Sequence, residues 1–245
     1  MISFDNNPEA RDAILSSIRE HLAASTRHDV VHNEIKAGHQ TGPNPENFPS
    51  AVITSLPALD LFIDSLEAAD GRCIVANGEV QIVQALKEIV SSLKETPLET
   101  RRIAISDAPA VEHLARQIAD QVEEIAVTPR AAELFSYDLG ITAAQAAIAE
   151  TGTLVLDSKC ERHRLVSLLP PVHVAIVEAD RICLTLSEAL LLLRSSGRDV
   201  SPTVTLVTGP SRTADIELTL AIGVHGPQKL FVIINTGPAL ETLCK

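Results

Sequence analysis

Two hydrophobic patterns alternate along the chain from residue 50 onward. Short, continuous apolar runs predict buried strands, and apolar residues spaced three or four positions apart predict helices. The predicted strands are residues 73–76, 103–106, 124–128, 153–157, 173–178, 203–207 and 230–235. The predicted helices are residues 56–69, 80–93, 109–121, 142–149 and 184–193. Because the strands show no inside–outside alternation, we predict an α/β fold with a largely parallel sheet flanked by helices.

Residues 1–49 follow a different pattern. Residues 9–24 have helical spacing with one apolar face, whereas residues 26–49 are polar and rich in His, Asn, Gly and Pro. The second composition is typical of a linker. We therefore predict an N-terminal helical arm over residues 1–49 and an α/β domain over residues 50–245. The apolar face of the arm docks either on its own domain or on a partner subunit.

Composition and charge narrow the classes of function. The 245 residues are 45% hydrophobic but only 2% aromatic, so a sizeable core must be built from aliphatic side chains. The formal net charge of −12 disfavours binding to nucleic acid and to anionic membrane surfaces. No apolar run approaches the roughly 20 residues of a membrane span, and the acidic N-terminus lacks the apolar stretch of a signal peptide. We therefore expect a cytoplasmic protein without a membrane span.

The cysteines and histidines show no metal-ligand spacing. Four cysteines occur singly in the sequence: Cys73, Cys160, Cys183 and Cys244. Iron–sulfur clusters need closely spaced cysteines such as C-x₂-C, so we expect neither a cluster nor a bound metal in this chain. Cys73 and Cys183 lie in apolar runs and are expected to be small buried side chains. Cys160, beside Lys159, is either a reactive thiol or part of an exposed turn.

A dense group of polar side chains lies in residues 208–217, TGPSRTADIE. It follows a β-branched run and precedes an apolar stretch that predicts a helix ending at residue 223. In open α/β sheets, ligands bind beyond the carboxyl ends of the strands, where helix N-termini offer free N–H groups. We therefore predict a ligand site at the carboxyl edge of the sheet. In the alternative interpretation, Ser211 or Thr213 caps the helix and Asp215 complements its dipole, although capping requires neither Arg212 nor His225.

Four segments of the C-terminal half stand out as motifs: residues 150–153 (ETGT), 164–170 (RLVSLLP), 208–217 (TGPSRTADIE) and 223–227 (GVHGP). Together and in this order, they resemble signature segments of the LUD-domain family, in its lactate-utilization branch. The resemblance implies the fold shared by sugar-phosphate isomerases and CoA transferases, the NagB/RpiA/CoA-transferase-like group. It also implies a part in the oxidation of L-lactate to pyruvate together with iron–sulfur partner proteins, with no cofactor in this chain.

The same segments predict a pocket for a small anion. Arg164 and Arg212 suit a carboxylate, because a guanidinium binds one through two hydrogen bonds, and the N–H groups of the loop also suit a phosphate. His225 is the candidate for proton transfer. The predicted catalytic residues are His225, Glu150 and Asp215. The predicted ligand-binding residues are Thr151, Gly152, Thr153, Arg164, Gly209, Ser211, Arg212, Thr213 and Gly226.

Three functions stay open at this point. The chain is a non-redox subunit of an L-lactate dehydrogenase complex, a free-standing enzyme of the CoA-transferase or sugar-phosphate isomerase type, or a regulatory or assembly protein. In a transferase, Glu150 would be the nucleophile; in the plainer interpretation, Gly152 only ends a helix. His173 is either a hydrogen-bonded core residue or a functional one. A homo-oligomer is compatible with all three functions.

Overall fold

The computed structural model describes residues 56–94, 100–160, 164–195, 202–214, 220–222 and 226–240, together with Ser16. Its α-helices are α1 (Leu56–Ala68), α2 (Glu79–Lys94), α3 (Pro109–Arg116) and α4 (Leu186–Ser195). Its strands are β1 (Arg72–Ala76), β2 (Arg102–Ile105), β3 (Glu124–Val127), β4 (Leu139–Ala143), β5 (Ala146–Ile148), β6 (Thr153–Asp157), β7 (Val172–Glu178), β8 (Ile182–Cys183), β9 (Val204–Thr208), β10 (Arg212–Ala214), β11 (Leu220–Ile222) and β12 (Lys229–Asn235). The described residues from Leu56 onward belong to one compact unit, Val52–Lys245. Apart from Ser16, the predicted arm of residues 1–49 lies outside the described residues, so the domain boundary stays a prediction.

Six strands form a sheet in the order β1-β12-β7-β4-β2-β3, and every neighbouring pair is parallel. All seven residues of the central strand β7 are buried. A strand covered on both faces needs apolar residues at successive positions, which is why its sequence shows no alternation. The predicted α/β fold with a largely parallel sheet is confirmed.

Helices α2 and α3 cover one face of this sheet. The buried positions of α2 include Ile82, Leu86 and Ile89, which recur at helical spacing along its 16 residues. They pack with Val111 of α3 and with apolar side chains of the strands, such as Ile141. The amphipathic pattern of residues 80–93 therefore predicted this helix correctly.

Helix α1 and a second sheet cover the other face. Phe62 and Leu66 of α1 are fully buried there, and each stabilises the fold by about 1.5–3 kcal/mol. The second sheet has the order β8-β5-β6-β9, in which β6 pairs antiparallel with both β5 and β9. Leu154 and Leu156 of β6 face the core that contains α1, and Val155 between them packs in a separate cluster under α4. Strand β6 is thus buried on both faces, whereas the edge strand β9 is partly exposed.

The helix predicted over residues 142–149 is wrong. This segment forms the end of β4 and all of β5, joined by a short turn. Alanine favours helices, which is what the composition indicated. Four alanines are fully buried between layers: Ala143, Ala144, Ala146 and Ala147. A helix on the protein surface would instead expose one side to solvent. Burial on every side overrides the local propensity.

The helix predicted to end at residue 223 is also wrong where the structure describes it. Residues 212–214 and 220–222 form an antiparallel hairpin, β10 with β11. Thr213 pairs with Ala221 and therefore does not cap a helix. The sequence did hold a signal: Ile216, Leu218 and Leu220 occur at every second position, which is the period of a strand. Earlier in the chain, the helix predicted over residues 109–121 is shorter than predicted, because α3 ends at Arg116.

A buried polar network closes the carboxyl ends of β7 and β12. The side-chain oxygen of Asn235 accepts hydrogen bonds from the N–H groups of Gly78 and Gly237, both at 3.0 Å. Its side-chain nitrogen donates to Glu178 Oε2 at 2.8 Å, and Glu178 Oε1 accepts from the N–H of Leu240 at 3.0 Å. Burial raises the pKa of the Glu178 carboxyl above its ordinary value. Protein groups therefore occupy the carboxyl ends of these two strands.

Replacing Asn235 should destabilise the fold through this network. Asn235→Ala leaves the N–H groups of Gly78 and Gly237 and the Glu178 carboxyl without this partner, and we expect a loss of about 2–3 kcal/mol. Urea denaturation at an unchanged m-value measures it. The control is Gln81→Ala, which removes an exposed side-chain oxygen that also accepts a backbone N–H at the start of α2. Equal losses for the two variants would contradict a structural role for the buried network.

Candidate functional site

A cavity of about 510 Å³ opens at the amino ends of β1 and β12. Three segments that are distant in sequence form it: the turn between α1 and β1, the loop between β9 and β10, and the residues that lead into β12. Its lining residues are Glu67, Asp70, Gly71, Arg72, Pro210, Ser211, Arg212, Gln228, Lys229 and Leu230. Two of them, Ser211 and Arg212, are predicted ligand-binding residues.

The cavity does not lie at the carboxyl edge of the parallel sheet, where the sequence pattern placed the site. Strand β9 belongs to the second sheet and runs antiparallel to β6, so its carboxyl end does not join the carboxyl edge of the parallel sheet. The loop after β9 instead meets Gly71 and Lys229, at the starts of β1 and β12. The position of the site therefore depends on which sheet β9 joins.

Helix α1 ends in a left-handed turn at Asp70, whose φ is +61°. The N–H groups of Asp70 and Gly71 donate to the carbonyl oxygens of Glu67 and Leu66, both at 2.9 Å. This is the Schellman arrangement, in which Gly or Asn usually takes the left-handed position. A residue with a Cβ is disfavoured there, although Asp is tolerated better than most because its short side chain can hydrogen-bond locally. The turn places an acidic side chain in the lining of the cavity.

Arg212, the first residue of β10, forms an ion pair with Asp70. The two side chains are 42% and 58% exposed, so water screens their attraction. Pairs of this kind contribute up to about 1 kcal/mol to stability. The ion pair therefore contributes little to the stability of the fold.

The loop that carries Ser211 packs closely against the end of α1. Gly209 has a φ of +68°, and a Cβ at this position would lie 2.2 Å from the carbonyl oxygen of Ala69. The N–H of Ser211 donates to the carbonyl oxygen of Pro227 at 2.7 Å. A Cβ on Gly226 would lie 2.9 Å from the Cβ of Ser211. The turn at Gly226 thus contacts the loop at Ser211, and both glycines are required by close packing.

A chain of threonine hydroxyls joins the segment around residue 152 to the same loop. The Oγ1 atom of Thr153 lies 2.7 Å from that of Thr151 and 2.6 Å from that of Thr208. Thr153 is buried, and it faces Thr208 in the β6–β9 pairing. Because Thr208 directly precedes the loop, these two predicted segments are neighbours in the fold.

Glu150 and Gly152 flank this chain of hydroxyls without lining the cavity. The Glu150 side chain is exposed, and its N–H donates to the carbonyl oxygen of Leu184 at 3.1 Å. Gly152 follows the 3₁₀ turn Ala149–Thr151 with a φ of +62° and packs against the backbone of α1 at Leu66. It therefore ends a 3₁₀ turn rather than the predicted α-helix.

The remaining predicted site residues are only partly described. Arg164 is exposed at the start of the 3₁₀ turn Arg164–Ser167 and does not line the cavity. The segment after it does reach the site, since the carbonyl oxygen of Pro171 accepts the N–H of Gln228 at 2.7 Å. Asp215, His225 and the side chain of Thr213 lie outside the described residues.

Five polar lining residues were not predicted: Glu67, Asp70, Arg72, Gln228 and Lys229. Each has an ordinary local explanation in the sequence, as part of a helix end, a turn or the start of a strand. The only local hint was the Asp-Gly pair after α1, which is typical of a turn. These residues meet the loop of Ser211 only through the tertiary fold.

The charges in the lining are mixed. Arg212 is paired with Asp70, and the Arg72 guanidinium lies 5.9 Å from the centre of the Phe231 ring, within cation–π range. Among the residues that the structure describes, the Lys229 ammonium has no ion-pair partner. The lining thus carries three cations against two acids, Glu67 and Asp70, and this excess of positive charge suits a small anion.

His173 is a neutral core residue. It is fully buried, its Nε2 lies 2.8 Å from Thr142 Oγ1, and burial lowers its pKa to about 3. Its Nδ1 has no hydrogen-bond partner within the described residues. In the sheet it pairs with Leu230, a cavity residue, and with Gly140. The imidazole is therefore a core group that carries no charge near neutral pH.

The cysteines separate into two kinds. Burial raises the pKa of the Cys73 thiol to about 12 and that of Cys183 to about 11, so both are unreactive thiols. Cys160 is buried, at 5% exposure, and disulfide-bonded, so neither a free reactive thiol nor an exposed turn describes it.

Within the described ranges, no group of three or more His, Cys, Asp or Glu side chains is placed to hold a metal ion. Nor does any helix there have the length and apolar character needed to cross a bilayer.

Curated relatives match part of this chain at about 40% identity. Lactate utilization protein C of Deinococcus radiodurans is 40% identical over 104 residues, covering 42% of this chain and 49% of that protein. Lactate utilization protein C of Bacillus subtilis is 40% identical over 100 residues, covering 40% of this chain and 42% of that protein. An uncharacterized protein of Neisseria meningitidis serogroup B is 41% identical over 96 residues, covering 39% of this chain and 41% of that protein. The matches span less than half the length of these relatives.

A solved structure and a family model match a larger share of this chain. The crystal structure of a DUF162 family protein from Deinococcus radiodurans superposes with a TM-score of 0.54 at 22% identity, covering 76% of this chain and 99% of that one. At this identity the superposition supports the fold alone. Residues 59–234 match the model of the LUD domain. That match takes in every described strand except the last residue of β12, and the chain therefore belongs to the LUD-domain family.

Proposed function

We propose that this chain takes part in lactate utilization, in the oxidation of L-lactate to pyruvate together with iron–sulfur partner proteins. The relatives named Lactate utilization protein C in Deinococcus and Bacillus support this role. The described residues offer no metal-binding cluster, and in this proposal the groups that accept electrons belong to the partner proteins.

The contribution of this chain is to bind a small carboxylate in the cavity at the starts of β1 and β12. The observation that carries this proposal is the pair of cations in the lining, Arg212 and Lys229. A guanidinium binds a carboxylate through two parallel hydrogen bonds, and an ammonium adds a point charge. Ser211 and Gln228 supply polar groups for the neighbouring hydroxyl of lactate or carbonyl of pyruvate.

Arg212→Ala should abolish ligand binding while leaving the fold intact. The lost ion pair with Asp70 is exposed, so we expect the free energy of unfolding to change by less than about 1 kcal/mol. In the unmodified chain, L-lactate at 100 times its Kd should add ~2.7 kcal/mol, or roughly 5–10 °C in Tm. Thermal unfolding with L-lactate, pyruvate, CoA and ribose 5-phosphate measures both effects.

The matched control is Arg101→Ala, which removes an exposed arginine 3.6 Å from Glu123, just before β2 and away from the cavity. This variant should keep the full response to L-lactate. A response that survives in Arg212→Ala would contradict the carboxylate site. A response to CoA or ribose 5-phosphate alone would favour a transferase or isomerase instead.

The partner proteins call for a separate experiment. The full chain, tagged and isolated from lactate-grown cells, should bring with it proteins that contain iron and show the visible absorbance of iron–sulfur clusters. Isolation of the chain without iron under conditions that preserve clusters would contradict the proposed complex.

A further inference from the structure

We infer that Asp70 is an internal carboxylate that competes with the ligand for Arg212 and thereby sets the affinity of the cavity for small anions. This inference rests on the proposed anion-binding cavity and assigns a specificity-determining role to a residue that no signature segment contains. The ligand class is a small carboxylate, the same chemical group that Asp70 itself carries.

The first observation is where Asp70 lies. Its φ of +61° puts an acidic residue at the left-handed end of α1, the position that Gly or Asn takes most readily. Within the described residues, the partner of its carboxylate is Arg212. Backbone geometry alone would favour Gly at this position, so the side chain has to be explained by what it contacts.

The second observation is that both members of the pair line the same cavity. A carboxylate ligand that binds Arg212 through Nη2, the guanidinium nitrogen paired with Asp70, must take the place that the Asp70 carboxylate occupies. The exchange leaves no buried charge behind, because the Asp70 side chain is 58% exposed and water solvates it after displacement. The two carboxylates therefore compete for one cation at a low cost to the fold.

The third observation is Lys229, which lines the same cavity and has no ion-pair partner among the described residues. Its ammonium attracts an anion while Arg212 is still paired with Asp70. Competition at Arg212 then determines how tightly that anion is held. Glu67 also lines the cavity, and it forms no ion pair with Arg212 among the described contacts.

The experiment compares Asp70→Asn with Glu67→Gln. Both variants remove one negative charge from the lining, but only the first releases Arg212, and Asn tolerates the left-handed turn. Sodium L-lactate and inorganic phosphate serve as probes in calorimetric titrations at constant ionic strength. We expect Asp70→Asn to bind whichever probe anion the unmodified chain binds, with an affinity about two- to fivefold higher. This factor corresponds to the free energy of the exposed ion pair that the ligand no longer has to break. Glu67→Gln should change the affinity by less than about twofold.

A double-mutant cycle with Arg212→Gln tests whether the gain in affinity of Asp70→Asn acts through Arg212. If Asp70 acts by occupying Arg212, Asp70→Asn should bring no gain once Arg212 is replaced. A gain that persists in the Arg212→Gln background would overturn the inference. So would equal gains in Asp70→Asn and Glu67→Gln, which would indicate an effect of overall charge alone. Weaker binding in Asp70→Asn would show that Asp70 positions Arg212 for the ligand, and this too would overturn it.

The two probes separate this inference from the proposed function. Phosphate binding that follows the expected pattern without any lactate binding would support the competition and contradict the lactate ligand. Lactate binding with no gain in Asp70→Asn would support the proposed function and contradict the competition. If neither anion binds to the unmodified chain or to Asp70→Asn, both fail.

Discussion

Gly152→Ala is expected to lower the free energy of unfolding by about 2–5 kcal/mol. The φ of +62° at this position disfavours any residue with a Cβ, and the added methyl group would lie 2.3 Å from the backbone nitrogen of Leu66 and 2.6 Å from the backbone carbon of Ser65. These are atoms of α1, so relief requires a shift of the helix rather than of a flexible side chain. Left-handed strain of roughly 1–2 kcal/mol adds to an overpacking cost of roughly 1–3 kcal/mol.

Gly78→Ala separates the two contributions to that loss. Gly78 has a φ of +83°, yet an added Cβ would meet only the ring of Pro238, at an ordinary distance of 3.6 Å. It should therefore cost only the backbone strain, roughly 1–2 kcal/mol. Urea denaturation of both variants gives the comparison. Equal losses would mean that Gly152 does not pack against α1 as described, and would leave ligand binding as the stronger explanation for this glycine.

Below pH 6.5, the protein is expected to lose stability because His173 is buried in its neutral form. Its pKa of about 3 in the folded state lies below the ordinary value of 6.5, so between these pH values the unfolded chain binds more protons than the folded chain. Stability therefore rises with pH across this window and falls as the solution is acidified, by up to about 1.4 kcal/mol per pH unit. Over the whole window the loss amounts to about 4–5 kcal/mol. Above pH 7 the effect is absent.

The measurement is denaturant unfolding from pH 7 to pH 4 for the unmodified chain and for His173→Gln. The variant should show a smaller acid dependence, whatever its stability at pH 7. Taking the difference between the curves removes the contribution of Glu178, which has the opposite sign. Its raised pKa gives a contribution to stability that is present at low pH and lost as the pH rises through the folded value. Identical slopes for the two proteins would show that His173 is not protected from protonation in the folded state.

Local pattern predicted most elements of the described fold. The continuous apolar run in Val172–Glu178 identified the central strand, and the helical spacing in Glu79–Lys94 identified α2. Both signals are strong because burial imposes them at almost every position of the element. The helix prediction for residues 142–149 failed because alanine is compatible both with a helix surface and with a strand between two layers. Only its neighbours in space decide between them.

The loop of Ser211 and Arg212 was recognisable because it concentrates polar donors after a β-branched strand. Its partners Asp70 and Lys229 were not, since each looks ordinary within its own stretch of sequence. Asp70 precedes Arg212 by more than a hundred residues, and no local rule connects them. The ion pair forms because Ala69 and Gly209 pack backbone to backbone at the end of α1.

The sequence by itself determined the α/β class, the parallel central sheet and the loop that contributes to the cavity, because burial and turn chemistry act on neighbouring residues. Only the tertiary structure decided that β9 pairs with β6, from Thr153 opposite Thr208 to Asp157 opposite Val204. That pairing moves the loop away from the carboxyl edge, which Asn235 and Glu178 close. Packing between segments far apart in the chain decides which strands pair. The position of the site therefore could not be predicted from any single segment of the sequence.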